Sequence, residues 1–329
     1  MGYGKKTILY DINLSIPRGN IVAIIGNSGA GKSTGVRCMT AQIQPTHGQA
    51  FTSGINVKES ERVQASIGYV PQLEYLSLYF NFSALKNALF FGRSFGMRDK
   101  EIKIRCQELM ELLGLGEEEF LNKPIKKLSG GEKKRVSIMI GLINNPEILF
   151  LDEPTTGLDP HLRIEVLNFL FRINQKYKTT MLLVSHDLES VDYCSQVIVF
   201  SDGVLVDEGN PMKMIESLPN NARAIDVTFE SIYLEQEESI ERLNIVKYIL
   251  HIGRNRYYLF IDNSELLDEF RSECAKLDLK IQHISFIRSN FLEYFRVKSK
   301  YFYKSQAEKI KAQANTMLKP KKVKKNTTI

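Results

Sequence analysis

Residues 26–33 read Gly-Asn-Ser-Gly-Ala-Gly-Lys-Ser, directly after the apolar run Ile-Val-Ala-Ile-Ile at 21–25. The pattern G-x-x-x-x-G-K-[ST] between a strand and a helix constrains a chain strongly, because it describes a loop wrapped around phosphate. Gly26, Gly29 and Gly31 let the backbone fold closely and turn its N–H groups toward negative charge. The helix that follows adds its positive N-terminal end. Lys32 is placed to reach the β- and γ-phosphates, and the Ser33 hydroxyl to ligate Mg²⁺. The expected nucleotide-binding residues are therefore Gly26, Asn27, Ser28, Gly29, Ala30, Gly31, Lys32, Ser33 and Thr34, and the expected ligand is a nucleoside triphosphate.

A second feature is the apolar run 148–151, which ends in Asp152 and Glu153. A solvated Asp-Glu pair at a strand end is the commoner meaning of such a sequence. Beside a phosphate loop it gains another, with Asp152 holding Mg²⁺ and Glu153 polarising an attacking water.

The first two-thirds of the chain alternates short apolar runs, including 180–184 and 197–200, with helical spacing such as Ile102, Leu109, Leu112 and Leu113 within 100–113. This predicts an α/β domain with a mostly parallel sheet. Leu-Pro-Asn-Asn within 217–224 breaks the pattern. Beyond it, runs at 257–261 and 280–286 flank an amphipathic segment at 264–276, which reads as a small β-α-β unit. The expected domains are 1–218, 225–296 and a basic, disordered tail at 297–329.

That tail controls the net charge of +6. From Arg296 onward there are eleven Lys and Arg against one acid, while the preceding residues hold thirty-three bases and thirty-seven acids. A mildly acidic body argues against a domain-wide nucleic-acid footprint. The tail reads either as a solvated end or as a segment attracted to an anionic membrane surface. Cys38, Cys106, Cys194 and Cys274 are far apart, without the spacing of a metal or redox pair. No apolar run approaches the ~20 residues that span a bilayer, and the first residues lack a signal-peptide pattern. The expected location is cytoplasmic.

Between the two acidic and glycine-rich features lies Leu128-Ser-Gly-Gly-Glu-Lys-Lys-Arg135. With it the sequence resembles the ATP-binding cassette (ABC) ATPases, whose signature reads L-S-G-G-x, over roughly residues 3–218. The resemblance implies a P-loop NTPase cassette, with a mixed sheet core and a helical subdomain, here followed by a small α+β appendage. Ser129, Gly130 and Gly131 precede a helical segment, so they suit a second anion site as well as a simple N-cap. In the family this site meets the γ-phosphate held by a partner cassette. Matching positions imply that Gln72 contacts the metal, Asp159 contacts the partner across the dimer, His186 contacts the γ-phosphate, and Tyr3 stacks on adenine. Taken alone, each has an ordinary surface or turn reading.

Gly68-Tyr-Val-Pro-Gln72, Leu89-Phe-Phe-Gly92, Leu112-Leu-Gly-Leu115 and Asp152-Glu-Pro-Thr-Thr-Gly-Leu-Asp-Pro160 look like the branch that drives drug, lipid and polysaccharide export. Ser289-Asn-Phe-Leu-Glu-Tyr-Phe295 is similar to that branch's closing segment, and also reads as an amphipathic helix. Two departures stand out. Only Met1 and Gly2 precede Tyr3, where the family has a strand. Phe82-Ser83 and Lys86-Asn87 replace the branch's usual Thr and Glu-Asn where a permease would dock. The resemblance thus implies an ATP- and Mg²⁺-dependent ATPase that pairs with a second cassette, identical or homologous, beneath a multi-span permease on the cytoplasmic face. No specific nucleic acid is expected. The alternative is a soluble ABC ATPase acting on nucleic acid or ribosomes, which the lysine-rich tail alone supports.

Overall fold

Six short strands form the central sheet: β1 Ile21–Gly26, β2 Ile67–Val70, β3 Ile148–Asp152, β4 Thr180–Val184, β5 Gln196–Ser201 and β6 Val204–Gly209, in the order β6-β5-β1-β4-β3-β2. The computed structural model describes the backbone of residues 2–3 and 6–317 and the side chains of residues 7–314. The pairs β1–β4, β4–β3 and β3–β2 are parallel. Every residue of β1 and β4 is buried, which explains their unbroken apolar sequence: a parallel strand covered on both faces has no polar side to alternate with. Val22, Ile24, Phe150, Leu182, Val184 and Ile198 share one core with Val36 of the helix α1, Lys32–Met39. Each such side chain contributes about 1.5–3 kcal/mol on full burial.

The four expected apolar runs lie within β1, β3, β4 and β5. Sequence reading did not mark β2 or β6 as strands. In β2, Gly68 weakens the local signal, yet the packing demands it. A Cβ there would stand 1.9 Å from the carbonyl oxygen of Gly141, the last residue of the helix Gly130–Gly141.

The helical part of this unit is built from α2 Ala84–Ser94, α3 Asp99–Leu112, α4 Gly130–Gly141 and α5 Pro160–Tyr177. α3 coincides with the expected helix at 100–113, and buries Ile102, Cys106, Leu109 and Met110. Gly92 lets α2 close on it, since a Cβ there would lie 2.6 Å from Ile102 Cγ1. All four cysteines are free and buried. Among the described residues, no helix is long and apolar enough to cross a membrane.

The C-terminal unit holds four strands, β7 Arg223–Phe229, β8 Val246–Gly253, β9 Arg256–Ile261 and β10 Ile281–Arg288, in the antiparallel order β8-β9-β7-β10. The expected β-α-β is β9, the helix α6 Leu267–Lys276, and β10, but β7 lies between those two strands. β7 escaped notice because Asp226 interrupts its apolar run. That carboxylate is buried and held by Arg256 through two bonds of 2.8 and 2.6 Å.

Two expectations about boundaries need correction. Packing groups the described residues up to His186, Ile198–Asp207 and the described residues from Lys304 onward as one unit, and Asp187–Val197 with Glu208–Tyr303 as the other, so the chain does not divide at 217–224. Asn220 and Asn221 do break the backbone there, with φ of 53° and 51°. The helix Pro211–Glu216 before the break nevertheless packs on the helix α7, Phe291–Lys298, which follows it. Nor is 297–329 a disordered tail throughout. α7 runs into a π-helical turn at Ser299–Tyr303 and the helix α8, Lys304–Met317. Val297, Tyr303, Ala307 and Ala314 are buried, an apolar stripe that the surrounding lysines mask in sequence. Residues 318–329 lie outside the described residues.

Candidate functional site

Because β1, β4, β3 and β2 run parallel and adjacent, their carboxyl ends meet at one edge of the sheet, where ligands of such sheets bind. β1 delivers Gly26, β3 delivers Asp152 and Glu153, β4 leads to His186, and β2 leads to Gln72. The phosphate loop is shaped by its glycines. Gly26 has φ 146°, and a Cβ on it would stand 2.1 Å from the Phe200 carbonyl oxygen. Gly31 caps α1 in the left-handed region, φ 99°, with Leu9 Cδ2 2.5 Å from where its Cβ would be. Asn27, Ser28, Gly29 and Ser33 are exposed, while Ala30 is buried beneath them. Lys32 bends over the loop, its ammonium donating to Gly26 O at 2.7 Å and Asn27 O at 3.2 Å. Burial lowers the Lys32 pKa from its usual range, opposed first by Glu153 and then by Asp152.

Asp152 ends β3 opposite Val184 and accepts a long hydrogen bond, 3.4 Å, from the Tyr69 hydroxyl of β2. Burial pushes its pKa up, and the Glu153 charge adds to this. Tyr69, Arg37 and Lys32 oppose it. Burial, reinforced by Asp152, raises the Tyr69 phenol to about 12. Glu153 has φ 51°, a left-handed conformation that non-glycine residues rarely adopt. Its N–H donates to Val184 O at 2.9 Å, which carries the β3–β4 pairing one residue past the strand. Its Oε2 accepts from Thr156 Oγ1 at 3.0 Å and lies 2.8 Å from His186 Nδ1. Lys32, Asp152, Glu153 and His186 thus form one polar cluster beside the phosphate loop.

The other expected residues have different bonding partners. Ser129 caps α4 by accepting from Glu132 N at 3.3 Å, while its own N–H donates to Glu132 Oε2 at 2.8 Å. Gly131 is buried against Leu162, whose Cδ1 would stand 3.0 Å from a Cβ there. Asp159 caps α5, accepting from Leu162 N at 3.1 Å, so the starts of α4 and α5 meet at Leu162. Among the described residues, no hydrogen bond or ion pair joins Ser129, Gly130, Gly131 or Asp159 to Lys32, Asp152, Glu153 or His186. Gln72 is exposed, and its carbonyl accepts from Lys134 Nζ at 2.8 Å. Tyr3 lies in a strand, Gly2–Tyr3, paired with Lys6–Thr7; its side chain is outside the described residues. A groove of about 1080 Å³, lined by Tyr10, Met39, Phe51 and Glu147 among others, contains none of the expected site residues.

Sequence reading missed Tyr69, Thr156, Lys134 and Glu74. Tyr69 and Thr156 sat inside quoted motifs without a role, because hydrogen bonds to Asp152 and Glu153 leave no spacing signal. Lys134 was legible in principle. It is three residues from buried Gly131 and four from buried Ile138, hence on the inner face of α4, but the run Lys-Lys-Arg looks like a solvated face.

A family model described as "ABC transporter" matches residues 9–156. The energy-coupling factor transporter ATP-binding protein EcfA2 of Bacillus subtilis is 35% identical over 63% of this chain and 77% of its own length. The methionine import ATP-binding protein MetN 2 of Enterococcus faecalis is 31% identical over 85% of this chain and 83% of its own. The chain belongs to the ABC transporter ATPases. Its cassette is an ATPase with the P-loop fold of the family. The dimeric cassette MJ0796, solved in a post-hydrolysis state bound to ADP and Pi, is 30% identical with a TM-score of 0.56, over 64% of this chain and 94% of that one. CbiO1 of Clostridium perfringens, described as part of the ABC transporter complex cbiONQ, is 30% identical with a TM-score of 0.60, over 64% and 84%. ABC transporter A family member 3 of Arabidopsis thaliana is 31% identical, and the chain spans 30% of its length.

Proposed function

We propose that this chain is the ATP-hydrolysing subunit of a transporter, working as a head-to-tail pair of cassettes that drives a separate membrane permease. The observation that carries this reading is that the expected site residues fall into two sets. Glu153 is bonded to His186 and interacts with Lys32 and Asp152 beside the phosphate loop, whereas Ser129 and Gly130, exposed at the start of α4, share no hydrogen bond or ion pair with that set among the described residues. One chain then supplies half of each of two ATP sites, and two chains complete both. MJ0796, a relative solved as a dimer, supports the pairing.

In this reading the loop N–H groups and Lys32 hold the triphosphate, and the partner's Ser129 and Gly131 cover the γ-phosphate from the other side. The ring of Tyr3 stacks on adenine, and Asp159 meets the partner's loop. Glu153, steadied by Thr156 and His186, orients water and takes its proton, while His186 also contacts the γ-phosphate. Ser33, Gln72 and Asp152 would hold Mg²⁺. The fit is supported by the Asp152 carboxyl, whose half-buried position beside Glu153 disfavours its charge until a cation neutralises it. Bound there, Mg²⁺ supplies charge neutralisation on the phosphate oxygens. Loss of the bridging γ-phosphate loosens the pair, a ligand-driven two-state cycle.

Support for a permease comes from the surface next to Gln72. Leu73, Tyr75, Leu76, Tyr79, Phe82 and Phe90 are exposed, with Tyr79 packed edge-on to Phe90 at 4.7 Å. Clustered exposed apolar side chains mark interaction surfaces. This position would keep the chain at the cytoplasmic face of the membrane. For direction, the motifs around 68–72, 89–92 and 152–160 favour export. A second reading, import, is favoured by the name of MetN 2, which aligns along most of the chain.

Glu153→Gln tests the core of the proposal. The variant should bind ATP with unchanged affinity, run as a dimer in ATP by light scattering, and lose hydrolysis by about 10²–10⁴-fold, the range a general base contributes. A monomeric variant, or one with near-normal turnover, would overturn the reading.

A further inference from the structure

Lys134, five residues into α4 from its Ser129 cap, is fully buried. Its ammonium donates to the main-chain carbonyl of Gln72 at 2.8 Å and pairs with Glu74 Oε1 at 2.7 Å. One turn further along the same face, Ser137 Oγ lies 2.8 Å from Ser77 Oγ, and Ser137 is also fully buried. The segment from Gln72 to Ser77 is therefore hung from α4 by two polar rungs. A buried ammonium is tolerated only where it is paired and hydrogen-bonded. These partners consequently fix where the Gln72 backbone sits relative to the helix whose exposed start carries Ser129 and Gly130.

We propose that Lys134 is a positioning residue that makes the placement of α4 and the placement of the Gln72 loop a single event. When the partner's nucleotide engages Ser129–Gly131, the shift of α4 moves Gln72 O with it, and so seats Gln72 against the nucleotide of its own chain. The inference rests on the proposed roles of those two loops. Its target is a backbone atom, so the link holds whatever side chain stands at 72. A lysine that only filled space would be replaced without loss by an apolar side chain of similar length.

The test is hydrogen–deuterium exchange of the full chain carrying Glu153→Gln, with and without ATP and Mg²⁺. The parent should slow exchange at 129–137 and 70–78 together, at one half-saturating ATP concentration. Adding Lys134→Met with Glu74→Gln leaves no charge unpaired. It should keep the protection at 129–137 but lose at least fivefold of that at 70–78, with the melting temperature within a few degrees of the parent. Equal protection of both segments in this variant would overturn the proposal and leave Lys134 a core residue. Should Met at 134 prevent folding, Lys134→Gln with Glu74→Gln carries the same measurement, because its shorter amide falls short of the Gln72 carbonyl. Gln72→Ala, assayed for hydrolysis, separates the two ideas. Normal turnover there would remove the role given to Gln72, independently of the exchange result.

Discussion

Asp152 shows what the site asks of a single residue. Its carboxyl is half-buried beside Glu153, and burial first, then that neighbour, raises its pKa above the ordinary range. The folded chain therefore binds this proton more readily than the unfolded one. Stability falls as pH rises from the usual Asp range, about 4, through the raised value, and the cost is absent below both. Asp152→Asn removes the ionised form. It should melt at a higher temperature than the parent near pH 7, with the difference shrinking toward pH 3, and should lose Mg²⁺-dependent hydrolysis by on the order of 100-fold. Thermal melts across pH and an ATPase assay check both parts. A variant less stable than the parent at neutral pH would contradict the assigned cause of the shift.

At the scale of the element, α4 serves the fold and the site with different ends. Its inner residues, Val136 to Gly141, are all buried, while Ser129 and Gly130 at its start are exposed. Ser129 caps the helix in the ordinary way, and replacement of such a cap by Ala costs about 1 kcal/mol. Asp caps as well as Ser does but adds a negative charge where a partner's phosphate would approach. Ser129→Asp should therefore keep the parent's melting temperature and its monomeric ATP binding. In the Glu153→Gln background it should abolish the ATP-bound dimer, read by light scattering. Persistent dimerisation would reduce Ser129 to its capping role.

For the whole molecule, the exposed side chains around Tyr79 and Phe90 bear on the proposed permease. Leu76→Glu with Phe90→Glu, both on exposed positions, should leave ATP hydrolysis by the isolated protein within about twofold, since exposed substitutions usually change stability by less than about 0.5 kcal/mol. The same pair should release the chain from membranes that hold the proposed permease, measured by sedimentation of the membrane fraction. Retention at the membrane would place docking elsewhere. The C-terminal unit, with its own core of Ile225, Val227, Tyr257, Leu259 and Phe270, needs no part in either result.

The phosphate loop, the strand that feeds it and the Asp-Glu strand end were determined by sequence alone, because each depends on local rules: glycine for φ near +100°, unbroken apolar residues for a strand covered on both faces, and a carboxylate pair at its end. Tertiary structure decided what no local rule encodes. Parallel pairing put the ends of β1, β3 and β4 side by side, gave Glu153 its left-handed turn, and set Tyr69 against Asp152 across 83 residues of sequence. It also turned a lysine that read as solvent-facing into a buried one, at Lys134. Long side chains can bury their stems and bring the charge to a distant partner, and only the assembled fold supplies that partner.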